Sequence, residues 1–285
     1  MVLSMTGFGR SEGIFEGKKI TVEIKSLNSK SFDLNIRVPM RYKEKEFDIR
    51  RKLNDKILRG KVDCFISVEV IGEENDVKLN RELVKSYIEQ LREISPDAPE
   101  FEYLKIAVKM PEAISSRPDE LVEAEWHFLQ GQIDHALAKF ENFRRTEGNI
   151  LSEELSRNLN QISDSLQQVI PYEEIRLEAV KERYANTLKE FENVDETRFY
   201  QELAYYTEKL DITEEKVRLT QHLKYYAEVM TMENGNGKKL GFIAQEIGRE
   251  INTLGSKANH AEIQKLVVLM KDDLEKIKEQ TLNVL

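Results

Sequence analysis

Two hydrophobic periods divide the chain. Between residues 20 and 38 apolar and polar side chains alternate: Ile20, Val22 and Ile24 against Thr21, Glu23 and Lys25. Past a turn-like NSKS at 28–31, Phe32, Leu34, Ile36 and Val38 repeat the pattern against Asp33, Asn35 and Arg37. A period of two places successive side chains on opposite faces, so these segments predict two half-buried strands of an antiparallel sheet. Val62, Cys64, Ile66, Val68 and Val70 predict a third. A helix is expected between them, over about 40–58. Pro39 precedes it, where a missing N–H is harmless, and the glycine of RGK (59–61) ends it.

From about residue 80 the period becomes helical. Only 95–118, which holds four of the six prolines, reads as loop or irregular structure. Helices are expected over 119–147, 148–190, 196–209, 212–233 and 238–283, with a joint near Gly148 or Pro171 and clear breaks at SPDAPE and NGNGKK (234–239). The fold class is therefore α+β: a small antiparallel β-sheet domain at the N-terminus, then long helices ending in a C-terminal helical hairpin. The matching division is 1–150, connecting helices over 151–200, and a helical unit over 201–285. In the last helix Ile263, Leu266, Met270, Leu274, Ile277 and Thr281 recur at spacings of three and four, a coiled-coil-like seam. Its partner is a helix of the same chain or of another copy.

Composition adds limits. With 40% hydrophobic and 33% charged residues the chain suits a soluble protein with long solvent-facing helices. No run approaches the ~20 apolar residues of a membrane span. The start, MVLSMTGFGRSEG, lacks the basic and apolar regions of a signal peptide, and the single Cys64 allows no intrachain disulfide. A cytoplasmic protein without membrane contact is expected. The net charge of −9 does not advertise nucleic-acid binding, yet residues 37–61 hold ten Lys/Arg against four Asp/Glu. Residues 190–233 hold five against eleven. The basic segment suits either a solvated helix face or sequence-independent phosphate binding, and the two opposite faces also suit self-association.

The stretch QEIGREINTLGSKANHAEI (245–263) separates into rows. Ile243, Ile247, Ile251, Leu254 and Ala258 form an apolar stripe; Glu246, Glu250, Thr253 and Lys257 run beside it on one side. Gly248, Asn252, Gly255 and Asn259 run on the other, and two interior glycines mark close approach by another helix or by a sugar–phosphate chain. The preceding helix, DITEEKVRLTQHL, opens with Asp211 and Glu214 as cap and capping box, and carries Glu215, Arg218, His222 and Tyr225 beside its own apolar row. Facing one another, the two polar rows suit an interhelical salt-bridge network. That network is the first reading of the rows alone; the second is a site in which carboxylates hold Mg²⁺ or Mn²⁺, arginines clamp phosphate and a histidine exchanges a proton.

Beyond these rows, SMTGFGR, VEIKSLNSKSFDLNIRVP, LRGKVD, FRRTEG, DITEEKVRLTQHL, KKLGFIAQEIGREINTLGSKA and IQKLVVLMKDDLEKIKEQTLNVL follow in order from the start of the chain to its end. Together they resemble the YicC/YloC family of bacterial endoribonucleases. The resemblance implies a cytoplasmic homohexamer that closes as a clamp or channel around RNA and cuts it with a divalent metal cation, Mg²⁺ or Mn²⁺. Other RNA-degradation proteins join RNA and the chain itself as expected partners. The family's motif residues fall on Ser4, Thr6, Gly7, Glu23, Ser26, Asn28, Arg37, Gly60, Lys61, Glu147 and Gly148. In the helical half they fall on Glu214, Glu215, Arg218, His222, Gln245, Glu246, Arg249, Glu250, Asn252, Thr253, Ser256, Lys257 and Asn259. Gly248 stands where relatives often have Asn, and His260 where Asp is frequent. The expected catalytic set is His222, Glu250, Arg249 and Arg218, and the expected metal ligands are Glu215, Glu246 and Glu250. Expected RNA contacts are Arg37, Arg41, Lys61, Asn28, Asn252 and Lys257. A non-catalytic adaptor that presents RNA to another nuclease is the alternative.

Overall fold

The computed structural model describes residues 2–29, 31–57, 59–71, 78–115, 121–189, 196–232 and 236–285. Residue 30 of the expected turn, residue 58, and the joint segments at 116–120, 190–195 and 233–235 lie outside the described residues. Strands β1 (Gly7–Phe15), β2 (Lys18–Leu27), β3 (Phe32–Arg37) and β4 (Gly60–Val70) form one sheet in the order β1-β2-β4-β3. β2 is antiparallel to both β1 and β4, but β3 runs parallel to β4. The α+β class stands, with a mixed sheet in place of the all-antiparallel one. The connection explains this: β3 leads through a 3₁₀ turn (Met40–Lys45) and α1 (Glu46–Lys56) into β4, and a helical crossover returns the chain in parallel.

A small appendage follows, with β5 (Lys78–Leu79), α2 (Arg81–Ile94), α3 (Glu100–Ala107) and β6 (Ile114–Ser115). The proline-rich stretch is thus partly helical, and its core is Val84, Ala107 and Ala113 with Tyr87 and Leu91 against them.

The long helix α4 (Glu123–Lys189) is the spine of the molecule. No joint occurs at Gly148 or Pro171, and the division expected near residue 150 falls inside this helix. Gly148 instead allows close contact, since a Cβ there would overlap the Val2 backbone. Pro171 removes one helical hydrogen bond, but the packed row continues past it to Tyr172 and Arg176. The first half of α4 buries Trp126, Leu129, Ile133, Leu137 and Phe140 with Ile20, Val22, Ile24, Val62, Cys64 and Ile66 of the sheet. The second half sends Leu151, Leu155, Leu159, Ile162, Leu166 and Val169 into the C-terminal core.

After α5 (Glu196–Leu210), α6 (Thr213–Thr231), α7 (Gly237–Ala258) and α8 (Ala261–Thr281) complete a bundle in which α4 packs on α8, α8 on α7, α7 on α6, and α6 on α4. The expected final helix is therefore two. Asn259 takes φ 34°, a left-handed conformation that Asn tolerates, and turns the chain back. The C-terminal unit is thus larger than a hairpin, and the α8 seam is buried within its own chain. Backbone ties close the two ends: Met5 N–H donates to Asn283 O at 2.8 Å, and Leu285 N–H donates to Leu3 O at 2.9 Å.

Candidate active site on the α6–α7 face

Glu215 opens the site. It sits in the first turn of α6 at 5% exposure, and Lys257 of α7 meets its Oε1 at 2.8 Å. Its Oε2 is buried without a hydrogen-bond partner. This pair sets the register between the antiparallel helices. Seven residues on from Glu215 and seven back from Lys257 stand His222 and Glu250, and seven residues are two helical turns on the same face. The register therefore brings His222, half-buried, level with Glu250, which is buried. Glu250 makes no hydrogen bond or ion pair among the described residues.

The two arginines stay on their own helices. Arg218 pairs with Glu214 at 2.5 Å and Arg249 with Glu246 at 2.7 Å, and both guanidinium groups are exposed. The facing-row cluster expected from the sequence is thus reduced to one cross-helix ion pair, Glu215–Lys257. Exposed pairs of this kind contribute only about 0.3–0.5 kcal/mol, so an anionic ligand competes readily for either arginine. Glu214 also does not close a capping box. Asp211 caps the first turn of α6 by accepting from Thr213 N–H at 3.0 Å and from its hydroxyl at 2.7 Å. Those bonds, with Lys257 and Lys216 nearby, hold the Asp211 carboxyl below its ordinary range.

Arg176, which the sequence reading passed over, anchors this end of the bundle. At 3% exposure it donates to Leu210 O at 2.7 Å and Lys257 O at 3.1 Å, closing the C-terminal ends of α5 and α7. Burial lowers its pKa. Two residues beyond Ala258, His260 stacks on Tyr172 at 5.4 Å between ring centroids, with a buried, unpartnered Nδ1.

The glycine row is explained by α8. A Cβ on Gly248 would lie 3.2 Å from Leu274 Cδ2, and one on Gly255 3.0 Å from Val267 Cγ1. Of the expected RNA contacts, Asn252 is exposed beside this row, and Arg37 and Lys61 are exposed on the sheet. Arg41 is committed to the fold: it meets buried Glu125 at 2.6 Å, and the Tyr42 hydroxyl donates to the same carboxylate at 2.5 Å. Asn28 donates to Leu282 O at 2.7 Å, which ties the sheet to the end of α8.

The expected metal ligands do not form a ready-made centre. Glu215 is held by Lys257 and Glu246 by Arg249, and among the described residues no three His, Cys, Asp or Glu side chains are grouped to hold an ion.

Comparison with known proteins agrees along the chain. The family described as "Endoribonuclease YicC-like, N-terminal region" matches residues 2–153, and "Endoribonuclease YicC-like, C-terminal" matches residues 166–285. A protein of Clostridioides difficile (strain 630) named probable endoribonuclease YicC is 32% identical over 293 residues, covering 100% of both chains. One of the same name from Haemophilus influenzae (strain ATCC 51907 / DSM 11121 / KW20 / Rd) is 29% identical over 287 residues, again over 100% of both. The α6–α7 face and the sheet domain lie within these two matched regions, and the chain belongs to the YicC-like family.

Proposed function

We propose that this chain is an endoribonuclease that cuts RNA phosphodiester bonds on the α6–α7 face. The observation that carries the reading is the register set by Glu215–Lys257, which levels His222 with unpaired Glu250 on two helices that each carry an exposed arginine, Arg218 and Arg249. His222 exchanges the proton of the attacking or departing oxygen, the general acid–base role that histidine most often serves. Arg218 and Arg249 leave their weak surface pairs and neutralise the phosphate oxygens. Metal dependence belongs to the proposal, although the three-carboxylate centre expected from the sequence does not fit this geometry. Mg²⁺ is commonly held by one or two carboxylates together with substrate phosphates, and Glu250 is the carboxylate left free for it.

Self-association around RNA belongs to the same proposal. Tyr200, Tyr205 and Tyr206 are exposed on α5, with ring contacts from Tyr200 to Phe199, from Tyr205 to Tyr206 and from Tyr206 to Tyr184, which supports contacts between copies. A cytoplasmic location and contacts with other RNA-degradation proteins are its outermost parts; no described helix is long and apolar enough to cross a membrane. The test is cleavage of an end-labelled RNA by the full chain, with Mg²⁺ or Mn²⁺ and with EDTA, comparing wild type and His222→Ala. The expected result is internal cleavage lost in EDTA and reduced about 10²–10⁴-fold in the variant. RNA that is bound but left intact assigns the adaptor role instead, and full activity in His222→Ala refutes the site.

A further inference from the structure

Both α1 and α4 pack on one face of the four-stranded sheet. The opposite face carries no element among the described residues. Its make-up follows from the packing beneath it. A Cβ on Gly7 or Gly9 would overlap Phe140 or Ala136 of α4, so the bulky side chains at this end of β1, Phe8 and Arg10, point outward. Phe8 is 38% exposed and Phe65, on β4, is 48% exposed.

The register places these two rings. Phe8 pairs with Lys25, which pairs with Asp63; Arg10 pairs with Glu23, which pairs with Phe65, which pairs with Arg37. The rings are two strands and one side-chain row apart, about 12 Å from the ordinary spacings of a sheet. Around them the carboxylates are engaged: Glu23 with Lys25 at 2.6 Å, Glu12 with Arg10 and Lys19, and Asp63 with the Asn35 amide at 2.9 Å. Lys25 also lies over the Phe8 ring, 5.6 Å from its centroid. Arg37 and Lys61 make no ion pair among the described residues. Of the carboxylates without a partner there, Glu69 stands at one end of the face, and Asp33 lies across from Lys61 in the register of β3 and β4.

We infer that this face is a platform for single-stranded RNA, on which Phe8 and Phe65 stack bases while Arg37 and Lys61 hold phosphates. Exposed rings interspersed with unpaired cations match the two needs of an unpaired strand, a π-surface for the base and a positive charge for the backbone. A duplex has its base faces occupied and gains only the charge term. The inference rests on the RNA-cleaving reading above and adds the form of RNA that is held and the surface that holds it.

Fluorescence anisotropy tests it, using the full chain in EDTA and a labelled 2′-O-methyl RNA dodecamer, single-stranded or as a duplex. Phe8→Ala and Phe65→Ala are each expected to weaken single-strand binding about fivefold or more, with duplex binding changed less than twofold. Arg37→Ala with Lys61→Ala weakens both forms and lowers the salt dependence. Phe65→Tyr retains the binding, and added oligonucleotide quenches the new indole of Phe65→Trp, which guards against a folding defect in the alanine variants. Single-strand affinity of the double alanine variant within twofold of wild type overturns the inference. So does an equal loss for duplex and single strand, or a change in solution mass, which would make the face a contact between copies. Cleavage is scored separately. Wild type that binds through the rings but never cuts refutes the nuclease and upholds the platform; cutting without ring-dependent binding does the reverse.

Discussion

Glu250→Gln separates chemistry from folding. Residue Glu250 is 9% exposed, and its carboxylate, whose oxygens still reach solvent, has no ion pair or hydrogen bond among the described residues. A charge withdrawn from water without a partner is unfavourable, and an unsatisfied buried polar group alone costs about 1–3 kcal/mol. Glutamine keeps the length and shape of the side chain and removes the charge. Glutamine is polar too, so only the charge is relieved, and with the carboxylate oxygens reaching solvent the variant is expected to gain at most about 1 kcal/mol. For a chain of this length that raises Tm by about 2 °C. The same change removes the free carboxylate level with His222, and RNA cleavage is expected to fall by about 10²–10⁴-fold. A gain in stability with a loss of activity marks a residue retained for its chemistry. Calorimetry of the full chain and single-turnover cleavage of labelled RNA read the two effects. A Tm lowered by 2 °C or more would give the carboxylate a structural role, and undiminished cleavage would remove it from the site; either overturns the assignment of Glu250.

Two further outcomes test the frame of the site. Arg176→Met strips the donors from Leu210 O and Lys257 O, and is expected to lower stability by about 2–3 kcal/mol. That loss reads as a lower urea midpoint at unchanged m; an unaltered midpoint would show that water replaces the guanidinium without penalty. The Asp211 carboxyl, held below the ordinary value of 3.8 by the Thr213 donors, contributes stability above that pH and loses it as pH falls through its lowered folded value. Asp211→Asn is therefore expected to be less stable than wild type by a constant amount from pH 7 to pH 5. Urea midpoints should converge below about pH 4, and a gap that widens in acid would refute the linkage.

The sequence shows what lies on regular rows and hides what depends on contact between them. The apolar stripe Ile243, Ile247, Ile251, Leu254 and the α8 seam are buried as their spacing requires. β1 escaped because its inward positions include Gly7, Gly9 and Gly13, so no apolar alternation exists where α4 lies against the strand. Asn259 was visible, but its left-handed turn needs only a side chain that tolerates it, and neighbouring rows continue in phase past it. Arg144 and Arg176 did leave a signal. Each stands seven residues beyond an apolar position of α4, Leu137 and Val169, and so takes a place in a buried row. A charge in such a place must be met by several acceptors: Arg144 donates to Met5 O, Ser26 Oγ and Arg59 O, while Arg176 gathers two helix ends. The polar rows of α6 and α7 were equally visible, yet periodicity cannot say whether a charge turns to its own helix or across. Arg218 and Arg249 turned to their own and Lys257 turned across. That one cross-helix choice sets the register and leaves Glu250 without a cation, so the chemistry proposed for the α6–α7 face depends on a pairing that rows alone do not specify.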